Sequence, residues 1–414
     1  MATRKTTRTA DQRASRRKAV SAAKKATGRK AATKKTVSKS TAGDKPPAGK
    51  AEGLPTAPAL PEVRARIDSI DREIQQLIAE RARFAQQVGR AKGKLKAAVD
   101  YYRPEREVQV LRGVLDRNGG PLSDEEMVRL FREIMSACLA QQEPLKVGFL
   151  GPEGTFSQLA VHKHFGHSAH GLPLTTIEEV FQEVESGNAD FGVVPVENST
   201  QGTIQSTLDM FLTSKLKICG EVELRVHQHL LSRTGHIGDI ERIYSHPQSF
   251  AQTKAWLRQH LPHVEKIPVA SNAEAARRAR NADDAAAIAG ASAGSVYGLK
   301  NVAGPIEDHA DNTTRFLVLG RELFPPSGHD RTSLLIFIKD RPGALYQVLS
   351  PFADQGLSMN RIESRPAHSG RWQYAFFVDV AGHVQDEAMK KAIAQLDASV
   401  QEVKVLGSYP VAVL

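Results

Sequence analysis

Cysteine is scarce in this 414-residue chain, which has two, Cys138 and Cys219. Two cannot build a disulfide framework, and with no secretory signal beside them they read as reduced thiols of a cytoplasmic protein. No uninterrupted apolar run approaches the roughly 18 residues of a membrane span, and the N-terminus lacks the apolar core of a secretory leader. A membrane is therefore not an expected partner. The sequence has no phosphate loop ending in Gly-Lys-Ser/Thr and no Gly-x-Ser-x-Gly elbow. The pairs His162-x-His164 and His227-x-His229 lack a third ligand at metal spacing, so no metal and no organic cofactor is implied.

Acidic residues are nearly missing from the first 50 positions, where 16 Lys and Arg meet only Asp11 and Asp44, a net charge of +14. The whole chain carries +10, so the remainder is mildly acidic at −4. Built of Ala, Thr, Ser, Lys and Arg, this segment cannot bury enough surface to offset chain entropy, and residues 1–55 are expected to be a disordered tail and linker. Three readings stay open: loose, salt-sensitive contact with nucleic acid, a transit peptide, or a solvated extension. No aromatic residue interleaves the charges, which excludes a single-strand stacking platform.

Beyond a Pro-rich linker over 42–61, positions 63, 67, 70, 74, 77, 81, 84, 88, 91 and 95 form a heptad seam of apolar residues broken by Arg81. That pattern predicts a long helix packing on other helices. A second helix is expected from Pro104 to Arg117, and a third after Ser123-x-x-Glu126, a capping-box spacing. The third should bury Met127, Leu130, Phe131, Ile134 and Cys138. From Lys146 short apolar runs alternate with helical stretches, which predicts an α/β segment with a largely parallel sheet. Strands are expected at 147–150, 191–196, 242–245 and 316–319, and helices at 176–186, 203–212, 248–260 and 272–281. From 332 the order strand–helix–strand–strand–helix–strand is the ferredoxin-like layout. Domain boundaries are drawn at 56–144, 145–325 and 330–414.

A guanidinium in an apolar seam needs a partner. Lys92 returns to within about 20° of Arg81 at 100° per residue, so two cations share one inward face. Such a pair suits a small dianion. Residues 62–142 resemble the all-helical chorismate mutases, three helices that intertwine as a dimer. The resemblance rests on Val63-Arg64-x-x-Ile67-x-x-Ile70-Asp71, Ala79-Glu80-Arg81, Val88-Gly89-x-x-Lys92 and Arg103-Pro104-Glu105-Arg106-Glu107. It implies that Arg64, Arg81, Arg103, Arg106 and Cys138 bind substrate, with Arg64 lent to the partner's site. It further implies that Lys92 and Gln142 donate to the ether oxygen of chorismate and that Glu107 accepts from its hydroxyl. Arg103 and Cys138 depart from the acidic residue and the serine that some members carry.

Three motifs end predicted strands and open predicted helices, where open α/β sheets bind ligands. They are Gly151-Pro152-Glu153-Gly154-Thr155-Phe156-Ser157, Pro195-Val196-Glu197-Asn198-Ser199-Thr200 and Ser245-His246-Pro247-Gln248-x-x-x-Gln252. A fourth, Asn312-Thr313-Thr314-Arg315-Phe316, precedes a strand. Together they resemble prephenate dehydratase over about residues 146–322, a family of two α/β lobes around a cleft, like a small periplasmic binding protein. The resemblance implies Thr314 as a catalytic residue. Thr155, Ser157, Glu197, Asn198, Ser245, Gln252 and Arg315 would bind prephenate, Arg315 through a carboxylate.

Residues 331–414 resemble the ACT regulatory domain through Pro342-Gly343-Ala344-Leu345 and Asn360-Arg361-Ile362-Glu363-Ser364-Arg365-Pro366. This implies a phenylalanine site at Gly343, Ala344, Leu345, Asn360, Glu363, Ser364 and Arg365, framed between paired domains. The combined expectation is a homodimer or larger homo-oligomer that turns chorismate into phenylpyruvate by way of prephenate, under feedback by phenylalanine. Two alternatives remain. One is a dehydratase preferring arogenate, with the helices kept for dimerisation. The other is a ligand-responsive regulator with a DNA-binding tail, against which stands the lack of any helix-turn-helix.

Overall fold

The computed structural model describes residues 59–91, 102–339, 341–366, 373–398 and 400–413. The basic tail and Lys92 lie outside the described residues. Residues 64–414 form one compact unit, and the packing below is that unit's.

Three helices come first, α1 (Leu60–Ala91), α2 (Pro104–Arg117) and α3 (Asp124–Ala140). α2 starts at Pro104, whose missing N–H costs nothing in a first turn. Ser123 caps α3, its Oγ accepting from the Glu126 N–H at 3.2 Å. The reciprocal half of the box is not made, because the Glu126 carboxylate pairs with Arg129 at 2.6 Å. The α3 face differs from the expected one: Leu130 is 40% exposed, whereas Val128 is buried and packs with Leu111 of α2 and Val413. The apolar seam of α1 also faces outward, with Ile67, Ile70, Ile74, Leu77, Phe84 and Val88 between 39% and 63% exposed. A seam this regular and this open is left without a packing partner among the described residues.

The middle segment forms two lobes. The first contains β1 (Lys146–Leu150), α4 (Phe156–Phe165), β2 (His170–Leu174), α5 (Ile177–Ser186), β3 (Phe191–Asn198), β4 (Gly202–Thr203), α6 (Gln205–Thr213) and β5 (Lys217–Arg225). The second contains β6 (His229–Ser232), β7 (Arg242–Ser245), α7 (Pro247–Gln252), α8 (Lys254–His260), β8 (Glu265–Pro268), α9 (Asn272–Ala279), β9 (Ala285–Ala289), α10 (Ala291–Tyr297) and β10 (Lys300–Ala303). β11 (Thr313–Gly320) then returns to the first lobe, giving sheet orders β2-β1-β3-β11-β5 and β10-β6-β9-β7-β8.

Both sheets are mixed, which corrects the expectation of a largely parallel sheet. The reason lies in the crossovers. β3 ends at the cleft and β5 leaves through it, whereas β11 enters from it and so runs antiparallel to both. The single helix expected over 248–260 is two, broken at Thr253, because Asp308 accepts from the N–H groups of Ala255 and Trp256 and caps the second. β9 is alanine but for Ile288, and it packs against the buried alanines 273, 275, 276 and 279 of α9. Small side chains let helix and sheet approach closely.

The last segment runs β12 (Asp330–Lys339), α11 (Ala344–Asp354), β13 (Met359–Pro366), β14 (Gln373–Ala381), α12 (Glu387–Asp397) and β15 (Glu402–Pro410). Its antiparallel sheet, ordered β13-β14-β12-β15, is the ferredoxin-like arrangement. Arg112 of α2 donates to the carbonyls of Ser327 and His329 at 3.4 and 3.2 Å, joining the helical segment to the start of this one. Among the described residues no helix is long and apolar enough to cross a membrane.

Candidate active sites

One register organises the cleft between the lobes. β11 pairs with β3 so that Thr314 lies opposite Asn198 and Arg315 opposite Glu197. Neighbours on a strand point to opposite faces, so the two pairs separate. Asn198 Nδ2 donates to Thr314 Oγ1 at 2.8 Å on the cleft side. Glu197 and Arg315 point away from it. Glu197 pairs with Arg361 of β13 at 3.2 Å. Arg315 meets Glu221 at 2.8 Å, Asp379 at 2.7 Å and the Tyr409 hydroxyl at 3.0 Å. By strand alternation neither Glu197 nor Arg315, both expected to bind prephenate, is among the residues lining the cleft cavity.

That cavity, about 370 Å³, brings together Thr155, Ser157, Asn198, Gln252 and Thr314. Ser245 is fully buried beneath it, its Oγ held at 3.3 Å by Asn272 Oδ1 and at 3.4 Å by the Ile288 carbonyl. Asn272 reaches the cavity in its place. Gln228, His246 and Asn312 line it too; only the last two stood within sequence motifs. No Lys, Arg, Asp or Glu is among its described lining residues. Positive potential comes instead from helix N-termini, since Phe156 of α4 and Asn272 of α9 both border the cavity. Thr155 caps α4 through its Oγ1, and Gly154 sits at φ 81°. A Cβ there would meet the Tyr297 ring at 3.0 Å. Burial lowers the pKa of His246 below the ordinary histidine value, which favours a neutral imidazole.

A second cavity, about 270 Å³, lies among the helices and gathers Arg81, Arg103, Arg106, Glu107, Cys138 and Gln142. Gly89 lets α1 approach Gln142, whose Oε1 would stand 2.8 Å from any added Cβ. Arg64 lies outside this cavity, 17 residues before Arg81 on α1, about 25 Å away at 1.5 Å per residue. Arg132 lines it, although no sequence motif marked it. Its Nε stands 3.8 Å from Glu107, and its Nη2 donates to the Val413 carbonyl at 3.4 Å. Burial pushes the Glu107 carboxyl up to about 7, against the pull of the Arg132 charge. Four guanidinium groups around one carboxyl suit a dianionic ligand.

In the last segment the expected phenylalanine residues divide. Glu363 accepts from Thr203 Oγ1 at 3.0 Å and Arg365 pairs with Asp209 at 2.5 Å, both facing the first lobe. Asn360 and Ser364 alternate to the exposed face of β13. Gly343, Ala344 and Leu345 open α11, and the cavity beside Ala344 takes no lining from β13.

Family comparison agrees with this division. Models described as chorismate mutase type II, prephenate dehydratase and ACT domain match residues 63–143, 147–323 and 332–398. A bifunctional chorismate mutase/prephenate dehydratase from Stutzerimonas stutzeri is 52% identical over 363 residues, covering 86% of this chain and 99% of its own. The chain belongs to the bifunctional chorismate mutase/prephenate dehydratases. Among solved structures, the prephenate dehydratase from Arthrobacter aurescens in complex with L-Phe is 34% identical with a TM-score of 0.59, covering 64% of this chain and 90% of that one. A chain described as a novel type of quorum-quenching acylase gives 0.61 at 29% identity over 64% of this chain and 98% of its own. The two-lobed fold by itself therefore does not select the chemistry.

Family membership makes the Arg315 finding testable. Its side chain is 11% exposed, and its partners Glu221 and Asp379 are 0% and 8% exposed, so removing it leaves the buried Asp379 carboxylate without its cation and Glu221 with Arg331 alone. Arg315→Met is expected to cost about 3–5 kcal/mol of stability, read as a lowered unfolding midpoint. If Arg315 instead served the substrate, KM for prephenate would rise at unchanged stability.

Proposed function

We propose that the dehydratase works by hydrogen-bond donation from Thr314 to the departing C4 hydroxyl of prephenate. The single observation behind this is the Asn198–Thr314 bond. It occupies a lone pair of the hydroxyl oxygen and leaves its proton for the substrate. The two carboxylates would meet the N-termini of α4 and α9 and the amide donors around them, in a cavity that supplies no cation of its own. In the mutase, Arg81 and Arg106 would clamp the carboxylates of chorismate and hold its reactive conformer. Gln142, with Lys92, would donate to the ether oxygen as charge develops there.

The open seam of α1 supports a dimer in which a second copy covers Ile67 to Val88 and receives Arg64 into its own cavity. Phenylalanine is the proposed allosteric ligand. Its site would be completed by a second ACT domain, since the cavity beside Ala344 takes no described lining residue from β13. The buried, unpaired thiols of Cys138 and Cys219 fit a cytoplasmic setting. Incubating the protein with chorismate should yield phenylpyruvate, at a rate that added phenylalanine lowers. Dehydration of supplied prephenate unaffected by saturating phenylalanine would end the feedback proposal.

Glu107 makes the mutase pH-dependent. A carboxyl raised to about 7 is protonated below that pH and accepts fully only above it. Mutase kcat/KM is therefore expected to climb through neutrality. Arg132→Met, which removes the charge favouring the carboxylate, should move the midpoint upward, and Glu107→Gln should flatten the limb. A wild-type profile already flat across neutral pH would refute this.

A further inference from the structure

The hydrogen bonds behind Thr314 form a chain whose direction is set by one backbone group. The Thr200 N–H lies 3.1 Å from Asn198 Oδ1. A backbone N–H can only donate, so the Asn198 carbonyl oxygen must face it. Its Nδ2 then faces Thr314 Oγ1 and Asn312 Oδ1, each at 2.8 Å. The Thr200 hydroxyl stands 2.6 Å from the same Asn198 oxygen and must give it its proton. Thr200 Oγ1 in turn accepts from Gln252 Nε2 at 3.4 Å, which leaves Gln252 Oε1 to accept from Gln228 Nε2 at 3.1 Å. Gln228 is 1% exposed, lines the cavity, and its Oε1 is buried without a hydrogen-bond partner among the described residues.

Five side chains are thus linked by four donations in one direction, from Gln228 through Gln252, Thr200 and Asn198 to Thr314. Gln228 sits in the crossover between β5 and β6, where its N–H is held by Glu307 at 2.9 Å. Gln252 ends α7 in the second lobe, and the other three belong to the first. The lobe-to-lobe link, Gln252 to Thr200, is the longest of the chain. Each donor that is itself a well-served acceptor is polarised by its neighbour, so the chain strengthens the last O–H as a donor.

We propose that Thr200 and Gln228 are positioning residues for dehydration, which fix the Thr314 hydroxyl as a donor to the leaving hydroxyl of prephenate through Gln252 and Asn198. This rests on the reading of Thr314 given above. In the step itself the ring carboxylate departs as carbon dioxide, and its bonding electrons enter the ring. The C4–O bond breaks, with its pair going to hydroxide. Thr314 stabilises that oxygen and keeps its own proton, and solvent neutralises the hydroxide. Dianionic prephenate becomes phenylpyruvate monoanion, carbon dioxide and hydroxide, so atoms and charge balance.

The test uses the full-length enzyme on supplied prephenate, with mutase turnover and unfolding midpoint as checks of folding. Thr200→Val keeps the backbone N–H and the shape but removes the relay hydroxyl. It should lower dehydratase kcat about 10- to 100-fold, less than loss of a direct donor, with KM little changed. Thr200→Ser should restore kcat, and Gln228→Glu, which cannot donate to Gln252, should lower it. An unchanged kcat in Thr200→Val beside an inactive Thr314→Val overturns the relay and spares Thr314. Full activity in Thr314→Val overturns the underlying reading. A Thr200→Val loss confined to KM, or one that serine fails to rescue, makes Thr200 a binding or structural contact and also overturns the relay.

Discussion

On supplied prephenate, Thr314→Val is expected to lose about 100- to 10,000-fold in kcat, the range for removing a positioned proton or hydrogen-bond donor. Valine matches threonine in shape and suits a strand, so β11 should keep its register and Phe316 its place. The loss should fall on kcat because donation to the leaving oxygen matters most as charge develops there, while ground-state contacts of the carboxylates stay intact. Chorismate turnover should be unchanged, since the mutase cavity shares no residue with the cleft cavity. A small rise in KM at unaltered kcat would make Thr314 a binding contact only.

Arg81→Met should remove about 100- to 1,000-fold or more of mutase kcat/KM, the penalty of truncating one partner of an enclosed, hydrogen-bonded charge pair. Methionine keeps the apolar stem within the seam, so α1 should survive. Dehydration of supplied prephenate should be spared. Mutase activity that persists in Arg81→Met would remove Arg81 from the chorismate site and leave the clamp to the other guanidinium groups of that cavity.

Much of this was legible in the residue order because local physics sets it. Pro104 and the run Asn118-Gly119-Gly120-Pro121 bracket α2, Ser123 caps α3, and the β-α-β-β-α-β order of the last segment follows from period and turns. The cavity members at motif positions, Thr155, Ser157, Asn198, Gln252 and Thr314, come from the ends of strands and of short helices, where spacing carries the signal. What escaped depends on pairing between distant segments. That Arg315 turns from the cleft follows from one β3–β11 register, set by residues more than 100 positions apart. Gln228 lies in a crossover with no periodic signature, and Arg132 matters through the tail carbonyl of Val413, 281 positions away. β9 escaped because alanine has little strand preference, and its burial under α9 decides its conformation. The α1 seam was readable as a packing surface, and among the described residues it stays exposed.

The central claim is that one chain holds two separable active sites, one dependent on Arg81 and the other on Thr314. Mixing equal amounts of purified Arg81→Met and Thr314→Val enzyme with chorismate tests it most directly. Each variant alone should make almost no phenylpyruvate, the first for want of prephenate and the second while prephenate accumulates. The mixture should convert chorismate to phenylpyruvate, because prephenate released by one variant is dehydrated by the other. A mixture as inert as its components would contradict the account.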